Sequence, residues 1–217
     1  MSAPRFVSPS RWEPLPYLVF VGLLLLTGVV RPESGGWLVA LLVAIALTVA
    51  WGVVAFVRDR RMRNPDPMGD LTSLDGIELV DAAPSPAVDA SDARVRTVVP
   101  VVDVHRHQPA IDLARLHGGA AQHAILVPRA RRWLSPRYRI GVQLVGGDRP
   151  RHAGFLGDAA DARWRDVLDG MAAARGVYAR VPATIEGTGR PFRVDLDLSG
   201  LEAVDGDGHA ASGLAES

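Results

Sequence analysis

Two long apolar runs open the chain, and short stretches of alternating apolar and polar residues close it. Leu15 to Val30 reads LPYLVFVGLLLLTGVV and Trp37 to Val57 reads WLVALLVAIALTVAWGVVAFV, with only RPESGG between them. A helix needs about 20 apolar residues to cross the roughly 30 Å of hydrocarbon in a bilayer. The second run meets that length without a charge, opens on Trp37 and closes against Arg58, Asp59, Arg60, Arg61 and Arg63. A buried core helix would show one polar face, and this run has none. The first run is shorter. Trp12 and Tyr17 stand where an aromatic belt would lie, Pro14 and Pro16 precede the helix body, and Pro32 follows its end. So short a connection predicts an antiparallel transmembrane hairpin over residues 15–57, with spans at about 15–30 and 37–57. A secretory leader is the competing reading of the first run, and Arg5 and Arg11 suit its basic start. No A-x-A-like cleavage site follows Val30 before the second run begins, however.

Basic residues beside a span stay on the cytoplasmic side. Arg58, Arg60, Arg61 and Arg63 follow the second run and Arg5 and Arg11 precede the first, whereas the connecting loop has Arg31 next to Glu33. Both termini (residues 1–14 at one end) are therefore expected in the cytoplasm and the loop outside, as an even number of spans in an inner or plasma membrane requires.

Beyond the spans the pattern changes twice. Residues 58–96 join the basic juxtamembrane cluster to a Pro-, Ala- and Asp-rich stretch. There Asp66, Asp70, Asp75, Glu78, Asp81, Asp89 and Asp92 face only Arg94 and Arg96. With few large apolar residues it reads as a disordered acidic linker, in which LTSLDGIELV predicts a turn or short strand. A free tether of about 35 residues would reach roughly 30–35 Å. Residues 97–204 form one α+β domain, and 205–217 a disordered tail. Strands are predicted at TVVPVVDV, AILVP, YRIGVQLVG, VYARVPATIEG and FRVDLDLSG, with a further short one at HAGFL and hairpin chemistry at GTGRP. PAIDLARLHG predicts a helix with Ile111, Leu113 and Leu116 apolar. DAADARWRDVLDGMAAARG predicts another, with Ala159, Ala162, Val167, Leu168 and Met171 on one face. The fold class is thus a two-helix membrane hairpin plus a small α+β, barrel-like domain with its helices at the rim.

Composition adds a compartment and removes some chemistry. The 24 basic residues are all arginine and balance 24 acids, a usage that reads as GC-rich bacterial codon bias. Cysteine is absent, which removes disulfides, thiolate metal sites and cysteine nucleophiles.

Three segments of the domain, VVDVHRHQPAI, His152-Ala153-Gly154-Phe155-Leu156 and VPATIEGTGRPFRVDLDL, resemble the opening strand, the "h-V-G-Y-L" strand and the closing hairpin of the HIRAN domain. The resemblance covers about 105 residues and neither the spans nor the linker. It implies an OB-like barrel that captures single-stranded DNA ends. The family's Asn-Pro-x-Asp-x-x-Ala-Val element reads Ser135-Pro136-Arg137-Tyr138-Arg139-Ile140-Gly141-Val142 here, so its Asn and Asp positions carry Ser135 and Tyr138.

The densest candidate for ligand binding is an anionic-ligand patch of Arg129, Arg131, Arg132, Trp133, Arg137, Tyr138 and Arg139, extended by Arg149, Arg151 and His152 if the strands pair as a hairpin. Arginines interleaved with aromatics suit nucleic-acid phosphates with stacked bases, and they suit anionic lipid headgroups equally. The plain alternative is a solvated loop around a core Trp. Membrane-interface anchors are Trp12, Tyr17, Trp37, Arg58, Arg60, Arg61 and Arg63. His105 and His107 on one strand, with His117 and His123, invite a metal, but no Glu or Cys follows at ligand spacing. Exposed or singly hydrogen-bonded histidines are the expectation, with no cofactor. Asp195 and Asp197 fall on the outer face of the last strand, and Gly118-Gly119 and Gly146-Gly147 read as turns. No nucleophile motif or phosphate loop occurs.

The expected function is non-enzymatic: a membrane-anchored cytoplasmic domain that binds a protein partner or an anionic lipid surface. Nucleic-acid capture by the HIRAN-like domain, and a hydrolase with an unrecognised site, are the alternatives.

Overall fold

A computed structural model describes residues 6–7, 12, 14–28, 36–61, 69, 71–82, 97–132, 135–147 and 149–202. The apolar runs form α1 (Pro14–Thr27) and α2 (Gly36–Arg61), which pack on one another. Within α2, Gly36–Val54 is 19 residues of mean hydropathy 2.5, and among the described residues it is the one stretch long and apolar enough to cross a membrane. The 14 residues of α1 span about 21 Å at 1.5 Å each, short of the expected 15–30. The helix ends where Thr27 returns its hydroxyl to the Leu24 carbonyl (2.6 Å) and the Gly28 N–H reaches the Leu25 carbonyl (3.2 Å). Val29 and Val30 lie outside the described residues. Ala44, Thr48 and Gly52 are among the half-buried positions of α2, as are Phe20, Leu23 and Thr27 of α1. Small residues at i, i+4 spacing let apolar helices approach closely.

The domain runs β1 (Glu78–Asp81), β2 (Val98–Pro100), a 3-10 turn (Val104–Arg106), α3 (Gln108–Gly118), β3 (Ala121–Arg131), β4 (Tyr138–Leu144), β5 (Arg151–Phe155), α4 (Asp158–Arg175), β6 (Val177–Glu186) and β7 (Arg193–Asp197). One sheet has the order β2-β7-β6-β3-β4-β5. Every pair along that path is antiparallel, and β1 adds to β6 in parallel. The expected barrel is corrected here, because the sheet is not closed. β2 is three residues long and turns away at Asp103, the single non-glycine with positive φ (63°) among the described residues. Its continuation meets β5 in one bridge, where Val102 and Phe155 exchange N–H···O bonds of 2.8 and 3.0 Å. Gly154 (φ +148°) allows that approach, since a Cβ there would lie 2.2 Å from the Val102 oxygen.

Both faces of the sheet are covered, which explains why β3 is apolar without alternation. Leu126, Ile140, Val142 and Leu196 fill the inner core with Ile111 of α3 and Trp164 and Leu168 of α4. Ile125 and Val127 face outward against Ala172, Tyr178 and Leu71, flanked by Leu74, Ile77 and Leu79. LTSLDGIELV thus forms the predicted turn and strand, and residues 71–82 of the expected disordered linker are docked. The Gln143 amide, oriented to satisfy both its groups, donates to the Leu71 carbonyl (3.0 Å) and accepts from the Leu71 N–H (3.3 Å). Arg180 grips the Asp81 carboxylate with both Nε and NH2. The predicted tail at 205–217, the last two residues of the predicted domain (203–204) and the linker residues 62–68, 70 and 83–96 lie outside the described residues.

Two helix faces differ from the pattern reading. On α4 the buried residues are Asp161, Trp164, Leu168, Asp169 and Ala172, while Ala159 and Ala162 are exposed. One Trp outweighs several alanines in the area it hides. On α3, Ile111 and Ala114 are buried and Leu113 and Leu116 exposed. The Gly118 turn is required by packing, for a Cβ there would lie 2.3 Å from the Cα of Gly146.

Candidate anionic-ligand surface

The end of β3 and the start of β4 bring most of the predicted patch together, with Arg131 opposite Tyr138 and Ala130 opposite Arg139. The carboxylates that meet these arginines come from elsewhere in the chain. Arg129 forks onto the buried Asp169 of α4, with NH2 to Oδ2 at 2.7 Å and Nε to Oδ1. Arg132 meets Asp103, Nε to Oδ2 at 3.0 Å and NH2 to Oδ1 at 3.3 Å. The left-handed conformation of Asp103 aims its carboxylate back at β3 as the chain enters the 3-10 turn. Arg139 donates to the Leu156 carbonyl (2.8 Å) and to Asp158 (2.5 Å). Beside it Asp161, buried in the first turn of α4, accepts the Ile140 N–H (2.7 Å) and pairs with Arg165. A buried carboxylate needs such partners, because taking its charge out of water unpaired is costly.

Tyr138 is 7% exposed and belongs to the core. Trp133 lies outside the described residues. Arg137 is exposed, and its guanidinium sits 5.5 Å from the ring centroid of Phe6. Phe6 and Val7 dock there: Phe6 bridges Arg137, and the Val7 N–H donates to the Pro136 carbonyl at 2.7 Å.

Arg151 and His152 sit on β5 opposite Leu144 and Gln143, toward the far end of β4. The His152 side chain leans back over Gly141, where an added Cβ would lie 3.3 Å from its Cε1. Its ring packs edge-on to His107 (4.5 Å between centroids) and to Phe155 (4.9 Å). Burial, reinforced by the neighbouring His107, pushes His152 down to about 4. Burial also lowers His107 against the opposing pull of Asp103. His105 and His107 are carried by the 3-10 turn rather than by a strand, so they do not share a strand face. The His117 ring bonds the Leu113 carbonyl (2.7 Å) through Nδ1. Among the described residues no three His, Asp or Glu side chains gather as a metal-binding group. Asp195 and Asp197 alternate with buried Val194 and Leu196, and Asp197 accepts the Ser199 N–H (3.0 Å) to shape the turn after β7.

Of the interface anchors, Tyr17 and Trp37 are 73% and 70% exposed on their helices. The Trp12 carbonyl accepts the Leu15 N–H (3.0 Å) at the start of α1. Arg58, Arg60 and Arg61 continue the backbone of α2, and Arg63 lies outside the described residues.

Comparison with protein-family models, with curated proteins and with solved structures finds no match.

Proposed function

We propose that the chain is a membrane-anchored, non-enzymatic binding domain. In this reading α1 and α2 form a two-span hairpin with both termini in the cytoplasm, and the sheet is a HIRAN-like, OB-type arrangement held at the inner face. One observation carries the reading: residues on both sides of the apolar helices dock on the same domain. Val7 pairs with Pro136 ahead of α1, and Leu71 pairs with Gln143 after α2. Segments that share a folded domain lie on one side of a bilayer, so the helices between them cross it an even number of times. The uncharged 19-residue stretch of α2 supports crossing, and two is then the count. The shorter α1 fits through local thinning of the bilayer and its flanking aromatics. An open sheet is compatible with an OB-type fold, which is itself only partly closed.

The ion pairs of Arg129, Arg132 and Arg139 weigh against nucleic-acid capture, since each guanidinium offered to a phosphate must first leave a carboxylate. A protein surface or lipid headgroups, met at the membrane, fit the tethered domain better.

The absence of cysteine makes the topology directly testable. In intact cells, a membrane-impermeant maleimide should label Ser34→Cys in the loop and leave Ser212→Cys in the tail unlabelled until the membrane is opened. Labelling of both or neither in intact cells would sink the hairpin.

A further inference from the structure

The domain has two ends, and the register of its strands says which is which. The turn between β3 and β4 lies where Arg131 faces Tyr138. The opposite end holds the β6–β7 turn beyond Glu186 and Arg193, and the start of β3, where Ala121 faces Thr184. Eleven residues of β3 separate them by about 35 Å. Phe6 and Val7 dock at the first end, on Pro136 and Arg137. From Val7 to Pro14, the first residue of α1, the chain can stretch at most about 25 Å. The β3–β4 end is therefore tied close to the start of α1, and the β6–β7 end points away.

The chemistry of the tied end fits a headgroup layer. Phe6 is 59% exposed although large and apolar, and the exposed Arg137 lies over its ring. An aromatic body beside a guanidinium is the pairing that settles at a membrane interface, the ring at headgroup depth and the cation on phosphate. Arg132 follows the last residue of β3 and is held by Asp103, whereas Arg137 is exposed. In the hairpin proposed above, α2 runs back past α1, on which it packs, so its last residues, Arg58, Arg60 and Arg61 among them, return to the side from which α1 starts. In that hairpin the exposed Arg137 and the arginines that close α2 belong to the same side of the bilayer.

We infer that the β3–β4 end of the domain, with Phe6 and Arg137 at its centre, is a docking surface for anionic lipid headgroups. This rests on the membrane-anchored reading above and adds an orientation and a lipid class to it. The domain lies with this end on the bilayer and presents α3, with its exposed Leu113 and Leu116, and the β6–β7 turn to whatever approaches from the cytoplasm.

The test uses the full chain in vesicles, with single cysteines bearing an environment-sensitive fluorophore and with nitroxide-labelled lipids as short-range quenchers. Pro136→Cys marks the near end, Thr188→Cys the far end and Val49→Cys the middle of α2. In vesicles containing phosphatidylglycerol, headgroup nitroxides should quench the label at 136 and not at 188. Phosphatidylcholine alone, or high salt, should weaken the quenching at 136. Arg137→Gln should lower the ratio of docked to undocked label about fivefold, the factor for one basic residue at an anionic surface. No quenching at 136, equal quenching in both lipids, or quenching at 188 instead would each overturn the inference. Acyl-chain nitroxides at position 49 separate the two claims. If they quench there while 136 stays dark to headgroup quenchers, docking fails alone. If they do not, the anchor fails and docking falls with it.

Discussion

Gly154 is the residue on which the near-closure of the sheet depends, and replacing it with alanine measures how much that closure is worth. Its φ of +148° is one that L side chains rarely adopt, and the new Cβ would lie 2.2 Å from the Val102 oxygen and 2.8 Å from a Val101 methyl. Two costs follow. Holding alanine in such a conformation costs on the order of 1–3 kcal/mol. The Val102 carbonyl must also retreat, which breaks the two bridge hydrogen bonds to Phe155, each worth about 0.5–1.5 kcal/mol net. Gly154→Ala should therefore destabilise the domain by about 2–6 kcal/mol, a large share of the 5–15 kcal/mol typical of a folded protein. In thermal unfolding of the full chain in detergent, followed by near-ultraviolet circular dichroism, the midpoint should fall by roughly 10 °C or more. Amide exchange at Phe155 should speed up first. Gly157→Ala is the control, because its φ is −61° and open space surrounds the site. The reasoning is refuted if Gly154→Ala matches Gly157→Ala in midpoint and leaves Phe155 protected.

Three further outcomes test separate parts of the fold. Gln143→Leu removes both bonds to the Leu71 backbone, which costs about 1–3 kcal/mol of local docking. Amide exchange at Leu71 should rise while the global midpoint hardly moves, and unchanged exchange would count against the docked linker. Arg129→Ala leaves the buried Asp169 unpaired and should cost about 2–4 kcal/mol after discounting for the partial exposure of Arg129. Vesicle docking should stay as in the wild type, and a loss of docking at unchanged stability would return Arg129 to the binding surface. His152 has a folded pKa below its unfolded value of about 6.5, so the unfolded chain takes the proton first and stability falls with pH. The loss begins near pH 6.5 and levels off near the folded value of about 4, for a total of about 3 kcal/mol. A pH series of denaturant titrations should show this slope and lose most of it in His152→Phe, the lowered His107 leaving a remainder of the same sign. Asp81, lowered chiefly by its bond to Arg180, acts only at more acidic pH than this window.

Much of the domain was legible because its elements carry local signals. The strands at YRIGVQL and VYARVPATIE, the helix ended by Gly176 and the short strand at HAGFL all follow from nearby residues. What failed were judgements that depend on distant partners. Ile111, Leu113 and Leu116 are the apolar positions of the predicted helix, yet Leu113 and Leu116 are exposed while Ala114 is buried with Ile111. The patch read as a cluster of like charge, since PRARRWLSPRYR contains no acid. Asp103, Asp158 and Asp169, up to 40 residues away, turn three of its arginines into structural pairs. Phe6 showed no signal at all, being a lone aromatic in an otherwise unremarkable N-terminus.

The sequence by itself determined that an uncharged helix of membrane length lies near the N-terminus, that basic residues flank it, and that an α+β domain follows. Each of these rests on length, charge or periodicity, quantities summed over neighbours along the chain. Only the tertiary structure decided that the sheet stays open at a single bridge. Only it showed that part of the linker belongs to the fold, and which arginines are held by carboxylates. These depend on contacts between segments tens of residues apart, where one glycine lets two backbones touch or one buried aspartate claims a guanidinium. No local pattern records such a contact.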